Sequence, residues 1–271
     1  MKTIKAIAID LDGTLLRDDK TISPSNLDAI MEAQRKGICI IIASGRPTYG
    51  VQPIANALKL QQYGGYILAY NGGEIYEWRT QRTIYDNILN HKILPYIYQT
   101  AKDNGLELLT YHNKFVVAED AFNPYVQRSS RSNRMEIKAV DNFLEEVKYD
   151  VVKCMIVGEP EKLKNLEQNV ALKLSGVATV FRSEPFYLEI VPPLIDKGRC
   201  LALLMNELDI NPEQLLAFGD GYNDISMLEY AGHGYAMDNA PEAVKRYAKY
   251  IAPANEVDGV AQIIRKYLSN Q

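Results

Sequence analysis

Two acids spaced by two residues, Asp10 and Asp12 in "AIAIDLDGTLL", follow directly on the apolar run from Ala6 to Ile9. A run of that kind is ordinarily a buried strand, and buried strands seldom end in paired carboxylates. While the chain stays extended, both side chains point the same way. Three further apolar runs end the same way: "ICIIIAS" at Ser44, "GYILAYNGG" at Asn71 and "NPEQLLAFGD" at Asp220, with Asp224 in the helix that follows. If these strands form one parallel sheet, their carboxyl ends open onto a common crevice, where ligands bind in such folds. Four carboxylates converging there would repel one another unless protonated or neutralised by a cation. A cluster of oxygens without Cys or His suits Mg²⁺ rather than zinc. Such an ion keeps waters and takes one or two carboxylates plus a substrate phosphate, which leaves acids free for other work. Lys197 and Ser44 supply the ammonium and hydroxyl that a phosphoryl group needs opposite the metal. The inventory fits phosphoryl transfer, a reaction of positioning and charge neutralisation.

The elements that must position these residues alternate in type. "TIKAIAID" predicts a central strand, and "ISPSNLDAIMEAQRKG" predicts a helix capped by Ser23, opened by Pro24 and closed by Gly37. Towards the end, "KGRCLALLMNEL" reads as a helix with Leu201, Leu204, Met205 and Leu208 on one face, and Asn211 and Gln214 form a capping box before a strand ending at Asp220. This βαβ rhythm predicts an α/β, Rossmann-like open parallel sheet with helices on both faces. Between the two stretches the texture changes. Residues 85–188 are rich in Tyr, Asn and charge, and strands such as "LELLTY", "KFVVAE" and "YLEIVP" alternate as in an antiparallel or mixed sheet with one exposed face. The expected organisation is a core at 1–84 and 189–271, with an α+β domain inserted at 85–188 and Pro192 and Pro193 stiffening the return.

Composition narrows the function classes. The 271 residues carry a net charge of −4, so nucleic acid is not an expected partner. The basic stretch "VQRSSRSNRM", with Arg128, Arg131 and Arg134, is short for a nucleic-acid surface but large enough for a small anion. Cys39, Cys154 and Cys200 lie in distant apolar segments without metal spacing, which favours a reduced, cytoplasmic setting. No stretch approaches ~18 uninterrupted apolar residues, so no membrane is expected either. The three histidines, His91, His112 and His233, show no ligand spacing.

"DLDGTLL" at Asp10, "ASGRP" at Ser44, Lys197 in "IDKG" and "GDGYNDISML" at Asp220 resemble, in order and spacing, the four motifs of the haloacid dehalogenase superfamily. The insertion between the second and third motifs is similar to the C2B cap of its Cof-type subfamily, and "NGGEIY" and "AMDNA" are Cof-like as well. The resemblance covers essentially the whole chain. It implies that Asp10 is the nucleophile, forming an aspartyl-phosphate, and that Asp12 is general acid to the leaving alcohol and then base to the hydrolytic water. An acid at the second position is expected of phosphatases and mutases, whereas dehalogenases of the superfamily lack it. The resemblance further implies phosphate contacts from Ser44, Gly45, Lys197, Asn223 and the backbone of Leu11. It implies Mg²⁺ held by Asp10, the Asp12 carbonyl and Asp220, with Asp224 in support through water. Arg46, Asn71 and Arg131 are possible substrate contacts.

The expected activity is Mg²⁺-dependent hydrolysis of small phosphorylated metabolites, sugar phosphates foremost, by a monomer or weak homodimer whose cap selects the substrate. Two alternatives stand beside it: a phosphomutase of the same fold, and a non-catalytic phosphometabolite-binding protein, against which the retention of both Asp10 and Asp12 counts.

Overall fold

The computed structural model describes residues 3–269. Its strands are, in chain order, β1 (Ala6–Ile9), β2 (Cys39–Ala43), β3 (Gly65–Ala69), β4 (Glu74–Glu77), β5 (Arg82–Asp86), β6 (Glu107–His112) and β7 (Phe115–Ala118). They continue with β8 (Glu136–Ala139), β9 (Cys154–Val157), β10 (Thr179–Glu184), β11 (Tyr187–Val191), β12 (Leu215–Gly219), β13 (His233–Met237) and β14 (Tyr250–Ala252). The chain divides into two compact units, one of residues 1–85 and 196–271 and the other of residues 86–195.

The first unit is built on a sheet of order β14-β13-β12-β1-β2-β3-β4-β5. From β14 to β3 all pairings are parallel, and β4 returns antiparallel to β3. Because the central strands are buried on both faces, their sequences are continuous apolar runs and alternate residues serve different cores. Ile7, Ile9, Ile40, Ile42, Leu216 and Phe218 pack on one side with helices Pro24–Arg35 and Gly259–Leu268. Ala6, Ala8, Ala43, Ala217 and Ala236 lie on the other, among Cys200, Leu201, Leu204 and Met205 of helix Lys197–Glu207. Large side chains thus fill the first layer, each worth about 1.5–3 kcal/mol on full burial. The alanines of the second layer leave room for helices to approach closely. The same closeness recurs at Gly198, where a Cβ would fall 2.4 Å from the backbone of Ser226.

Strand order reverses between β1 and β12: β2 and β3 follow on one side, β13 and β14 on the other. The register aligns Ile9 with Phe218, and the Asp10 amide donates to the Phe218 carbonyl across 3.0 Å. Asp10 and Asp220 therefore leave adjacent strands at the point where an open α/β sheet forms its ligand crevice. The capping expectations at Ser23, whose side chain accepts from the Asn26 amide, and at Asn211 with Gln214 are found as read.

The second unit holds a sheet of order β10-β11-β9-β6-β7-β8, antiparallel except between β7 and β8. Helices Leu94–Asp103 and Pro160–Lys173 contribute Leu94, Ile97, Leu163 and Val170 to a core with Leu108, Ile156, Leu188 and Ile190. Strand β11 runs unbroken from Tyr187 to Val191, so the sequence boundary at 188 cuts through a paired strand. The basic stretch, read from sequence without a secondary structure, is the helix Pro124–Asn133, capped by Asn123 and followed by β8. Cys39, Cys154 and Cys200 are all free thiols. Among the described residues, no helix is long and apolar enough to cross a membrane.

Candidate active site

The acids leave the strand ends and meet a lysine from elsewhere in the chain. Asp10, 7% exposed, follows β1, and its Oδ1 accepts from Lys197 Nζ at 2.6 Å. Lys197 opens its helix, whose cap is Asp196, and its Nζ also donates to Asp224 Oδ1 at 2.6 Å. A cation at a helix start opposes the helix dipole, so this placement is sustained by the two carboxylates rather than by the helix. Asp224, wholly buried, uses its other oxygen to accept from the amides of Asp220 at 3.0 Å and Gly221 at 2.9 Å. Asp220 follows β12, and its Oδ1 accepts from the Thr14 hydroxyl at 2.7 Å. Gly13, at φ +83°, permits this approach: a Cβ there would fall 2.3 Å from Asp220 Oδ2.

Oxygens of Asp10, Asp220 and Asp224 lie within 4.8 Å of one another. Burial first, and then the Asp224 carboxylate, push the Asp10 carboxyl up to about 8 against the pull of Lys197. Asp220 is raised by burial and by Asp224, while Thr14 acts in the opposite sense. Burial alone would lower Lys197, but Asp10 and Asp224 outweigh it and hold the ammonium above its usual range. Burial is the larger cause of both raised acids, and the carboxylate of Asp224 crowded beside them adds to it. A hard divalent cation fits this all-oxygen set. Asp10 and Asp220 are the acids best placed to hold it, since Asp224 spends its oxygens on Lys197 and backbone amides.

Asp12 corrects the expectation of four converging side chains. Past β1 the chain turns, with the Thr14 and Leu16 amides donating back to the Leu11 carbonyl, so the extended geometry that would align Asp12 with Asp10 ends at the strand. The Asp12 carboxylate pairs instead with Arg46, whose Nε and NH2 reach its two oxygens at 2.9 and 2.7 Å, and with Lys20 Nζ at 2.9 Å. Burial would raise its carboxyl, but these two cations hold it below the usual range.

The remaining expected residues are distributed as follows. Leu11 is fully buried; Ser44 is also buried, and its Oγ accepts from the Arg46 amide. The Ser44 carbonyl accepts from the Asn71 amide, which ties the ends of β2 and β3 together. Asn71, at φ +59°, sets its side-chain amide against Gly45 and accepts from Asn223 Nδ2 at 2.9 Å. Arg46, Asn71, Ser44, Gly45 and Asn223 thus form one linked edge of the first unit. Arg131 lies in the second unit, exposed on helix Pro124–Asn133, where its neighbour Arg128 stacks over Phe186.

Five contributors went unread in the sequence. Thr14 and Lys20 reach the acids directly. The loop after Asp12 is also held by side-chain amides: Asn239 donates to the Gly13 carbonyl, Asn26 to that of Leu15 and Asn255 to that of Leu16. Only Thr14, inside the "DGT" turn, and Asn239, inside "AMDNA", carried a local signal.

This geometry has known relatives. The family model of haloacid dehalogenase-like hydrolases matches residues 7–264. A haloacid dehalogenase-like hydrolase from Bacteroides thetaiotaomicron superposes with a TM-score of 0.95 at 44% identity, over 97% of this chain and 99% of that one. The 5-amino-6-(5-phospho-D-ribitylamino)uracil phosphatase YcsE of Bacillus subtilis is 31% identical over 98% of this chain and 96% of its own. The pyridoxal phosphate phosphatase YbhA of Escherichia coli is 28% identical over 98% of this chain and 99% of its own. The chain accordingly belongs to the haloacid dehalogenase-like hydrolase family, among its Cof-type phosphatases.

Proposed function

We propose that this phosphatase hydrolyses small phosphorylated metabolites, sugar phosphates foremost, through an aspartyl-phosphate on Asp10, with Mg²⁺ as its metal. The observation that carries the reading is the Lys197 ammonium held 2.6 Å from both Asp10 and Asp224 at the reversal point of the sheet. Two relatives named for phosphorylated small molecules, one a phosphoribityl compound and one pyridoxal phosphate, support the substrate class.

In this mechanism Asp10 attacks phosphorus, the leaving oxygen departs with its electron pair, and Asp12 in its protonated form supplies the proton. Lys197 keeps Asp10 oriented and offsets the charge of the approaching phosphoryl group. Ser44, the amide of Gly45 and Asn223 bind phosphoryl oxygens. Asp10 and Asp220 would hold Mg²⁺, which would supply the positive charge that lets two anions meet. Asp224 keeps Lys197 and the loop at Asp220 in place.

The test is release of 4-nitrophenol from its phosphate ester with and without Mg²⁺, with Asp10→Asn as the control. Metal-dependent turnover, lost by orders of magnitude in the variant, is the expected result. Full activity in Asp10→Asn would end the proposal. A kinetic screen of phosphorylated sugars, nucleotides and cofactors then ranks the substrates.

A further inference from the structure

Asp12 is held from two sides. Arg46 comes from the edge that also carries Ser44. Lys20 comes from the loop that follows Asp12 itself, where Leu16 and Ile22 form an antiparallel bridge. Within that loop the Arg17 amide donates to the Thr21 carbonyl and the Lys20 amide to the Arg17 carbonyl. Asp19 braces the tip by accepting from the Thr21 amide at 2.9 Å and the Thr21 hydroxyl at 2.6 Å. This places Lys20 in the left-handed region, at φ +65°, and brings its Nζ back to Asp12 Oδ1 at 2.9 Å.

A left-handed backbone is uncommon for a residue other than glycine. The ion pair it allows is half exposed, with the Lys20 side chain 53% accessible. Pairs of that kind contribute little to stability, so the fold has small use for the arrangement. What it does achieve is orientation. With Arg46 on both oxygens and Lys20 on Oδ1, Asp12 is an acceptor fixed in one direction.

Resting on the phosphatase reading above, we propose that Lys20 is a positioning residue, holding Asp12 as the oriented base for hydrolysis of the aspartyl-phosphate. In that half-reaction the oxygen of water forms a bond to phosphorus while the bond from phosphorus to the Asp10 oxygen breaks. Asp10 leaves as carboxylate with the electron pair, and the proton lost by water passes to an oxygen of Asp12. A base that swings away from the line of attack slows this step whatever alcohol left in the first one. Lys20 therefore acts after the leaving group has gone.

The experiment compares wild type, Lys20→Met and Lys20→Arg, all with Mg²⁺, on 4-nitrophenyl phosphate and on a primary alkyl phosphate, by steady-state and rapid-quench kinetics. Lys20→Met is expected to lower kcat about tenfold on both esters, a fraction of what general base catalysis contributes. Its KM falls in step, and its initial burst of 4-nitrophenol exceeds that of the wild type as phosphoenzyme accumulates. Lys20→Arg is expected to recover most of kcat. A raised KM at unchanged kcat would make Lys20 a phosphate ligand and overturn the proposal. A loss confined to the alkyl ester, without a burst, would place Lys20 in leaving-group protonation and overturn it equally, as would unchanged kinetics. Circular dichroism and Tm matching the wild type confirm that Lys20→Met is folded. A wild-type protein with no Mg²⁺-dependent turnover defeats the phosphatase reading itself, and this inference with it.

Discussion

Lys197 Nζ and Asp10 Oδ1 stand 2.6 Å apart although 187 residues separate them in the chain. The lysine is fully buried, its partner nearly so, and Asp224 completes the contact from a third direction. Two charges removed from water are held there by each other and by the fold. Such a pair is weak ground for stability, yet costly to break from one side. The arrangement is better explained by what it presents: a carboxylate aimed outward from the sheet with its charge partly offset.

Replacing Lys197 with Met should therefore do two things. Turnover should fall at least a hundredfold, by analogy with the loss of a charge-stabilising donor. The metal-free protein should lose about 3–5 kcal/mol of stability, because Asp10 and Asp224 are left without a counter-charge. Urea unfolding with chelator present measures the second effect. A stability equal to wild type would show that the acids do not depend on the ammonium.

Saturating Mg²⁺ should raise the Tm of the wild-type protein, since an ion that binds only the folded state stabilises it by mass action, by about 2.7 kcal/mol at a hundred times Kd. Asp220→Asn should abolish most of that increment while leaving the chelated Tm unchanged or higher, because one repelling carboxylate is gone. An undiminished Mg²⁺ increment in Asp220→Asn would place the ion elsewhere.

Gly13→Ala should damage the site without unfolding the sheet. Its φ of +83° disfavours a side chain, and the new Cβ would meet Asp220 Oδ2 at 2.3 Å. The expected outcome is loss of the Mg²⁺-induced Tm increment together with turnover, at a near-normal circular dichroism spectrum. Retention of both would mean that the turn yields more easily than its geometry implies.

In the second unit, Glu119 offers a test of pH dependence. Burial would raise its carboxyl, but the Lys102 ammonium at 2.7 Å, the Phe143 amide and the Tyr98 hydroxyl together hold it below the ordinary value of 4.5. A carboxyl that is lower in the folded state stabilises above its unfolded value, and that contribution is lost as pH falls through the folded one. Glu119→Gln should therefore destabilise the protein at pH 7, and the difference from wild type should shrink below about pH 4.5. Urea midpoints at pH 7 and pH 3.5 measure it. A gap that widens in acid would reverse the sign and refute the assignment.

Much of the first unit was legible because its signals are local. Apolar runs such as "ICIIIAS" report burial on both faces, and each ends where polarity begins, so Asp10, Ser44, Asn71 and Asp220 could be placed at strand ends. Caps at Ser23 and Asn211 are equally local, being bonds between residues three apart. The helix Pro124–Asn133 was missed for the converse reason. It is polar along its length, burying only Val126 and Ser129, so no apolar stripe marks it, although Asn123 and Pro124 did offer a start signal.

The sequence by itself determined which residue types stand at the ends of the buried strands, because side-chain alternation and capping act over a few residues. Only the tertiary structure decided how those residues are grouped. Asp10 and Asp224 share one ammonium with Asp220 clustered beside them, whereas Asp12 turns to Arg46 and Lys20. Two acids spaced by two residues point together only while the backbone stays extended, and here the strand ends at Ile9. Which charge faces which is then set by strand order and by where a loop returns, in contacts that span 187 residues from Lys197 to Asp10 and 34 from Arg46 to Asp12.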